Sequence, residues 1–275
     1  MTIDIAAAWA REAALLRPTV LTPALLDGLA PDRERRWVPE ALLPLHGGPL
    51  YNDLTADQRR FYNQAYARQL LAEFIWVERT LIVAPVRRLA LAGDAAIVRD
   101  SFVVDETHHI ASFARLAASA ADGRGPARPF SPPWPLRALA RLAAAAPVGL
   151  HFWTAVVAAF ERYAVDIGQR FNTDVEVDPA FRAVFVAHAR DEARHCRLDD
   201  LLAAHLGAAA GPALTTVNGA LARRYLARYF SVAWGLDGPI DALVAADPTL
   251  AARRAALVAE SQSMRRAQNN IAVTA

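Results

Sequence analysis

At 275 residues, with 54% hydrophobic and 21% charged residues, the chain can bury a substantial core, which excludes intrinsic disorder as its main state. All 30 basic residues are arginine and are dispersed among 28 acids for a net charge of +2, so no cationic stripe for nucleic acid stands out. The single cysteine, Cys196, excludes an intramolecular disulfide, suits a reducing cytoplasm and reads as a buried thiol.

The opening MTIDIAAAWARE lacks the basic stretch of a secretory signal, and residues 1–54 read as irregular or weakly helical, broken by Pro39, Pro44 and Pro49. Thr55 with Gln58 forms a capping-box pattern that opens a helix running to about Ala92, with a kink at Pro85 and a stop at Gly93. Asp94 caps a second helix ending near Ala120. The proline-rich stretch Ala121–Leu136 reads as a connection or crossover. A third long helix starts near Pro147 and ends near Phe171. Asp178-Pro179 supplies the cap and first residue of a fourth, which reaches about Leu206. Beyond Gly211-Pro212 two more helices are expected, the last opening at Asp247-Pro248. The uncharged run Leu142–Phe160 is long enough to span a membrane, but it is mostly alanine and carries Pro147, His151 and Thr154, which favours a helix packed in a protein core.

No segment alternates with strand period, and the composition rich in alanine, leucine and arginine favours helix throughout. Two pairs of long antiparallel helices joined by a long connection give an all-α, ferritin-like four-helix bundle with extra helices at both ends. One domain over residues 1–275 is expected, with the bundle at about 55–206.

The second and fourth helices each carry D-E-x-x-H: Asp105-Glu106 with His109, and Asp191-Glu192 with His195. Residues three apart on a helix lie about 60° from each other, so each Glu and His can face one point inside the bundle. One such motif is weak; two on corresponding helices are a strong sign of a dimetal site. Such a site needs one further carboxylate from each remaining helix. Glu161 is the only acid in its apolar run. On the first helix, Glu78 lies nearly as far before the Gly93 turn as Glu106 lies after it, whereas Glu73 is displaced by about 10 Å at 1.5 Å per residue. Glu78 is therefore preferred and Glu73 held in reserve. His188 shares the face of Glu192 and His195, which favours a ligand over a core histidine. Asp105 and Asp191 are candidate acceptors for histidine N–H groups, fixing tautomer and ring orientation. His108 falls off the ligand face, and His151 is left to core or surface.

The segments DQRRFYNQAYARQLLAEFIWVERTLIVAP, VVDETHH, AAFERY and HARDEARH together resemble the diiron N-oxygenases typified by p-aminobenzoate N-oxygenase, over roughly Leu54 to Leu206. The most specific element is H-x-x-x-E-x-x-H, since most ferritin-like diiron proteins lack its first histidine. The resemblance implies that Glu78, Glu106, His109, Glu161, His188, Glu192 and His195 ligate two iron ions, and its spacing from Gln58 also supports Glu78. The connection between the first two helices is shorter than the resemblance leads one to expect.

The function so implied is O2-dependent oxidation of an amine nitrogen through hydroxylamine towards nitroso or nitro, with Glu106 and Glu192 bridging the irons and Glu78 and Glu161 terminal. Electrons come from an external donor, a separate reductase, because no G-x-G-x-x-G nucleotide loop is present. A homodimer is implied by the resemblance alone. The same ligands would also serve C–H hydroxylation or desaturation of a small or carrier-bound substrate, or a ferroxidase. Oxygen and nitrogen ligands at these spacings suit manganese as well as iron.

Overall fold

The computed structural model describes residues 4–121, 132–145, 150–210, 212–232 and 237–274. It contains helices and turns, with no strand among the described residues. Helix α1 (Ile5–Ala14) is capped by Asp4, whose carboxylate accepts the Ala7 N–H. Short helical turns at Pro23–Leu26, Glu40–Leu42 and Pro49–Asn52 then lead to the bundle. Its four long helices are α2 (Ala56–Val77), α3 (Asp94–Ser119), α5 (Leu150–Thr173) and α6 (Pro179–Ala210). The crossover between α3 and α5 carries α4 (Trp134–Ala145). After the bundle come α7 (Pro212–Val232), α8 (Asp237–Ala246), a 3₁₀ segment at Pro248–Arg253 and α9 (Arg254–Thr274). Helices α2 and α3 pack together, α5 packs along α6, and the two motif helices α3 and α6 meet in the middle. This is the ferritin-like arrangement.

The capping box at Thr55 and Gln58 is present in both directions: the Thr55 hydroxyl accepts the Gln58 N–H, and the Gln58 side chain accepts the Thr55 N–H. Several boundaries differ from the sequence expectation. The first bundle helix does not run on as α-helix with a kink at Pro85. It passes into a π-helical segment, Glu78–Val83, then a short turn of α-helix, Ala84–Val86. Pro85 has no N–H to give the Leu81 carbonyl in α register, and the Trp153 indole of α5 takes that carbonyl instead. The second helix is capped by Gly93, at φ 59°, and Asp94 is its first residue, an acid in the positive first turn. Part of the proline-rich connection is helix α4, because its prolines cluster before and within the first turn, where a missing N–H costs nothing. Among the described residues three helical segments rather than two follow the bundle, and Asp247 opens the last of them through a 3₁₀ turn, accepting the Thr249 N–H. Residues 122–131 and the His151 side chain lie outside the described residues.

Asp178 caps α6 as expected. One oxygen of its buried carboxylate accepts N–H groups of Ala180 and Phe181 at 2.9 and 3.1 Å, and the other accepts the Asp32 N–H at 2.8 Å. Asp178→Ala is expected to cost about 2 kcal/mol of stability, read as a lowered denaturation midpoint with metal content unchanged. Close approach of α5 and α6 requires Gly168: a Cβ there would collide with the Ala189 Cβ and stand 2.7 Å from the Phe185 carbonyl oxygen.

Two apolar clusters fill the bundle. One gathers Trp37, Tyr62, Phe113, Phe171, Phe181 and Phe185; the other gathers Leu81, Phe102, Trp153, Phe160, Leu198 and Tyr229. Glu106 and His109, Glu161, and His188, Glu192 and His195 fall along their helices between residues of one cluster and residues of the other. Among the described residues no helix is long and apolar enough to cross a membrane.

Candidate metal centre

Glu78 sits at the start of the π-helical segment and is buried, as are Glu106 and His109 of α3, Glu161 of α5, and His188, Glu192 and His195 of α6. These side chains converge into two groups, each with potential ligand atoms within 4.8 Å of one another. Glu78, His109, His188 and Glu192 form the first; Glu106, Glu161, Glu192 and His195 form the second. Glu192 belongs to both. Its Oε1 lies 2.8 Å from His188 Nε2 and 3.3 Å from His109 Nδ1, while its Oε2 lies 3.6 Å from His195 Nδ1. Glu106 also reaches both sides, 2.9 Å from His195 Nδ1 and 3.7 Å from His109 Nδ1. Glu78 Oε1 is 3.0 Å from His188 Nε2.

The two motif aspartates are engaged, but crosswise. Asp191 Oδ2 lies 3.2 Å from Nε2 of His109 on the other helix, and Asp105 Oδ2 lies 3.2 Å from Nε2 of His195. Each aspartate thus fixes the histidine of the opposite motif and turns its Nδ1 towards the centre. Arg194 ties the pair together, its Nη2 donating to both carboxylates and its Nη1 donating to the Arg17 carbonyl at 3.0 Å. The segment before the first 3₁₀ turn closes over them. The Thr19 hydroxyl donates to Asp105, and the Val20 and Leu21 N–H groups donate to Asp191. Burial alone would raise Asp191, yet His109 and those two backbone N–H groups hold it down at about 2.

Charge inside the cluster is strongly perturbed. Burial pushes Glu78 up to about 7 against the pull of His188, and drives Glu161 well above the usual carboxylate range, with Asp199 adding to the shift. Burial disfavours imidazolium, but Asp191 and Glu192 outweigh it at His109, which rises to about 10. At His188 the same opposition is won by Glu192 and Glu78, giving about 9. Four buried carboxylates and three imidazoles so close together need cations among them, whether protons or metal.

The atoms themselves fit metal. Apart from close approaches among themselves and to Asp199, both oxygens of Glu78, Glu106, Glu161 and Glu192 are buried without a hydrogen-bond partner, as are His109 Nδ1, His188 Nε2 and His195 Nδ1. The outward nitrogens of His109 and His195 are satisfied while their inward ones are not, which is the pattern of imidazole ligands with carboxylate support. His108 is half-buried and outside both groups.

Three residues escaped sequence reading: Asp199, Arg194 and Thr19. Asp199, one turn beyond His195, is buried beside Glu161 and pushed up to about 7 by burial; its i+4 spacing from His195 was the available signal. Arg194 and Thr19 join the site only through tertiary contacts. Cys196 is half-buried rather than buried, its thiol pushed up by partial desolvation and by Glu192. Glu73 stands outside both ligand groups, on the wall of a small adjoining cavity. That cavity is bounded by Phe74, Val77, Ile82, Phe160 and Tyr163 and opens onto Glu78, Glu161, His188 and Glu192.

An all-helical bundle with two E-x-x-H helices and matching glutamates defines a ferritin-like protein with a site suited to two metal ions. Residues 23–272 match the family described as p-aminobenzoate N-oxygenase AurF, and the chain belongs to that family. It is accordingly an enzyme of the oxidoreductase class. No curated protein matches the chain.

Proposed function

We propose that this enzyme is a non-haem diiron oxygenase that uses O2 to N-oxygenate a small amine, an arylamine foremost, towards the hydroxylamine, nitroso or nitro level. The observation that carries this reading is the set of buried, inward-facing carboxylate oxygens and imidazole nitrogens, close to one another, at one end of a mostly apolar cavity. Glu78, Glu106, His109, Glu161, His188, Glu192 and His195 would hold two iron ions, Glu106 and Glu192 spanning the pair, within a single unit formed by the whole chain. When bound, the metal pair supplies the activation of O2.

The protein supplies the rest. Four carboxylates balance the charge of two ferrous ions, so a neutral cluster sits in the apolar interior. Asp105 and Asp191 hold His195 and His109 in one tautomer each. Phe74, Val77, Ile82 and Phe160 exclude water and seat the hydrocarbon body of the amine, which brings its nitrogen to the cluster face lined by Glu78 and Glu161. Electrons enter from a separate reductase.

Product analysis tests the reaction. Iron-loaded, reduced protein given O2 and an arylamine should return a product with oxygen on nitrogen and every C–H bond retained. A C-hydroxylated or desaturated product would reassign the chemistry while leaving the metal site intact.

His188 offers a finer test. Six other ligands already suffice for two irons in proteins with two E-x-x-H motifs. His188→Ala and His188→Phe should therefore remain helical and retain most of their iron, while amine oxidation falls by at least about tenfold, about 1.4 kcal/mol in the barrier. Unchanged turnover in both variants would make His188 a packing residue, consistent with its ring lying edge-on against Phe74 and Phe113.

A further inference from the structure

One cation serves the acids that support the cluster. Arg194 stands between Glu192 and His195 on α6, but its guanidinium goes to the two motif aspartates. Its Nη2 donates to Asp191 Oδ1 and, at 3.3 Å, to Asp105 Oδ2. Asp105 Oδ2 is the same oxygen that faces His195 Nε2, whereas Asp191 uses its other oxygen, Oδ2, for His109. One guanidinium therefore bears on both aspartate–histidine pairs. Those pairs serve different metal positions, His109 standing in the first ligand group and His195 in the second. Water is kept from all three charges. Asp191 is fully buried, Asp105 is buried, and the Arg194 side chain is 21% exposed. The strap from Arg17 to Leu21 lies over them: the Arg17 carbonyl accepts from Arg194 Nη1 at 3.0 Å, and the Val20 and Leu21 N–H groups donate to Asp191. Among the described residues Arg194 is the one arginine in an ion pair with either aspartate.

We propose that Arg194 is a positioning residue that keeps the metal pair reducible, by moderating how strongly both supported histidines donate to metal. This rests on the diiron reading of the site. A carboxylate that accepts an imidazole N–H makes the opposite ring nitrogen a more basic ligand. A more basic ligand favours ferric over ferrous ion. Two buried carboxylates with no opposing charge would therefore hold both irons ferric, beyond the reach of a mild external donor. The Arg194 guanidinium draws on both carboxylates at once, and it does so strongly because a buried charge pair is screened far less than an exposed one. Each histidine is then left closer to an ordinary neutral imidazole. The side chain suits the task. A planar guanidinium presents several donors in a fixed fork, so one rigid group reaches two aspartates and the Arg17 carbonyl, whereas an ammonium offers only a point charge. The same Nη2 faces both aspartates, so the two metal positions shift together.

Anaerobic redox titration of the iron-loaded protein, followed by near-ultraviolet absorption, tests the proposal on wild type, Arg194→Met and Arg194→Lys, with iron content and helicity read on the same samples. Arg194→Met keeps the length and removes the charge. At a fixed solution potential its ferric-to-ferrous ratio should be at least about tenfold higher than in wild type, a downward shift of about 59 mV for one electron. Arg194→Lys keeps the charge and should recover at least about half of that shift. A midpoint that is unchanged or raised in Arg194→Met overturns the proposal. So does an equal downward shift in Arg194→Lys, because charge would then not be the cause. A purely structural residue would cost stability or iron content and leave the midpoint of the retained iron where it was. Arg194→Gln, neutral but still able to donate to one aspartate, is read in the same way if the Met variant does not fold. Loss of iron from both neutral variants also overturns the proposal, since Arg194 would then be needed for assembly and not for potential. Wild-type protein without redox-active iron sinks the diiron reading and this proposal with it, whereas two irons whose midpoint ignores Arg194 sink this proposal alone.

Discussion

Glu192→Ala is expected to give a folded, helical protein that takes up almost no iron. Glu192 is the one side chain common to both ligand groups, with one oxygen facing His109 and His188 and the other facing His195. Its loss removes a donor from each metal position and leaves three buried imidazoles without their shared counter-charge. Glu106 also reaches both sides but belongs to the second group alone, so it cannot supply the donor missing from the first, and metal affinity should fall by at least about 100-fold. The fold should survive, because α6 is anchored elsewhere: by the Asp178 cap, by close packing on α5 at Gly168, and by the aromatic stack of Phe171 on Phe185. Iron per chain after anaerobic ferrous loading, with far-ultraviolet circular dichroism on the same sample, provides the check. Two irons per folded chain would show that Glu192 is not a shared ligand.

The second large effect separates two acids on one helix. Glu78→Ala should lower iron to about one per chain or less, since the first ligand group loses its only unshared carboxylate and with it the negative charge that balances a ferrous ion there, which loss of the neutral His188 does not do. Glu73→Ala should retain both irons, because Glu73 lies outside both groups and faces the cavity and Tyr229. Metal analysis of the two purified variants settles the matter. Loss of iron in the Glu73 variant with retention in the Glu78 variant would mean that α2 enters the site in another register.

That register is where sequence and structure part most instructively. Counting residues from the Gly93 turn at the α-helical rise favoured Glu78, and Glu78 does lie in the cluster, but the helix between them is not uniform. The π-helical segment beginning at Glu78 depends on Pro85 and on an indole donor from Trp153, on another helix. Nothing local in the sequence announces that pairing. The E-x-x-H motifs were legible because their spacing is a property of one helix, and Glu161 was legible because it stood alone in an apolar run. The crossed pairing of Asp105 with His195 and of Asp191 with His109 was half legible: each aspartate could be named as an acceptor, but which histidine it serves depends on how α3 and α6 dock. Arg194 and the Thr19–Leu21 segment are the same kind of feature, distant in sequence and joined only by the fold. Capping residues behaved similarly. Thr55 and Asp178 act through neighbouring N–H groups and were readable, whereas the positive φ of Gly93 moved the cap one residue upstream of Asp94.

The proposed function requires that the seven side chains hold two irons beside an amine-binding cavity. Anomalous diffraction at the iron edge, from crystals of the protein loaded with ferrous ion, tests it most directly. Two iron peaks per chain are expected, one within coordination distance of Glu78, His109, His188 and Glu192, the other of Glu106, Glu161, Glu192 and His195. A single peak, or iron bound away from these residues, would contradict it.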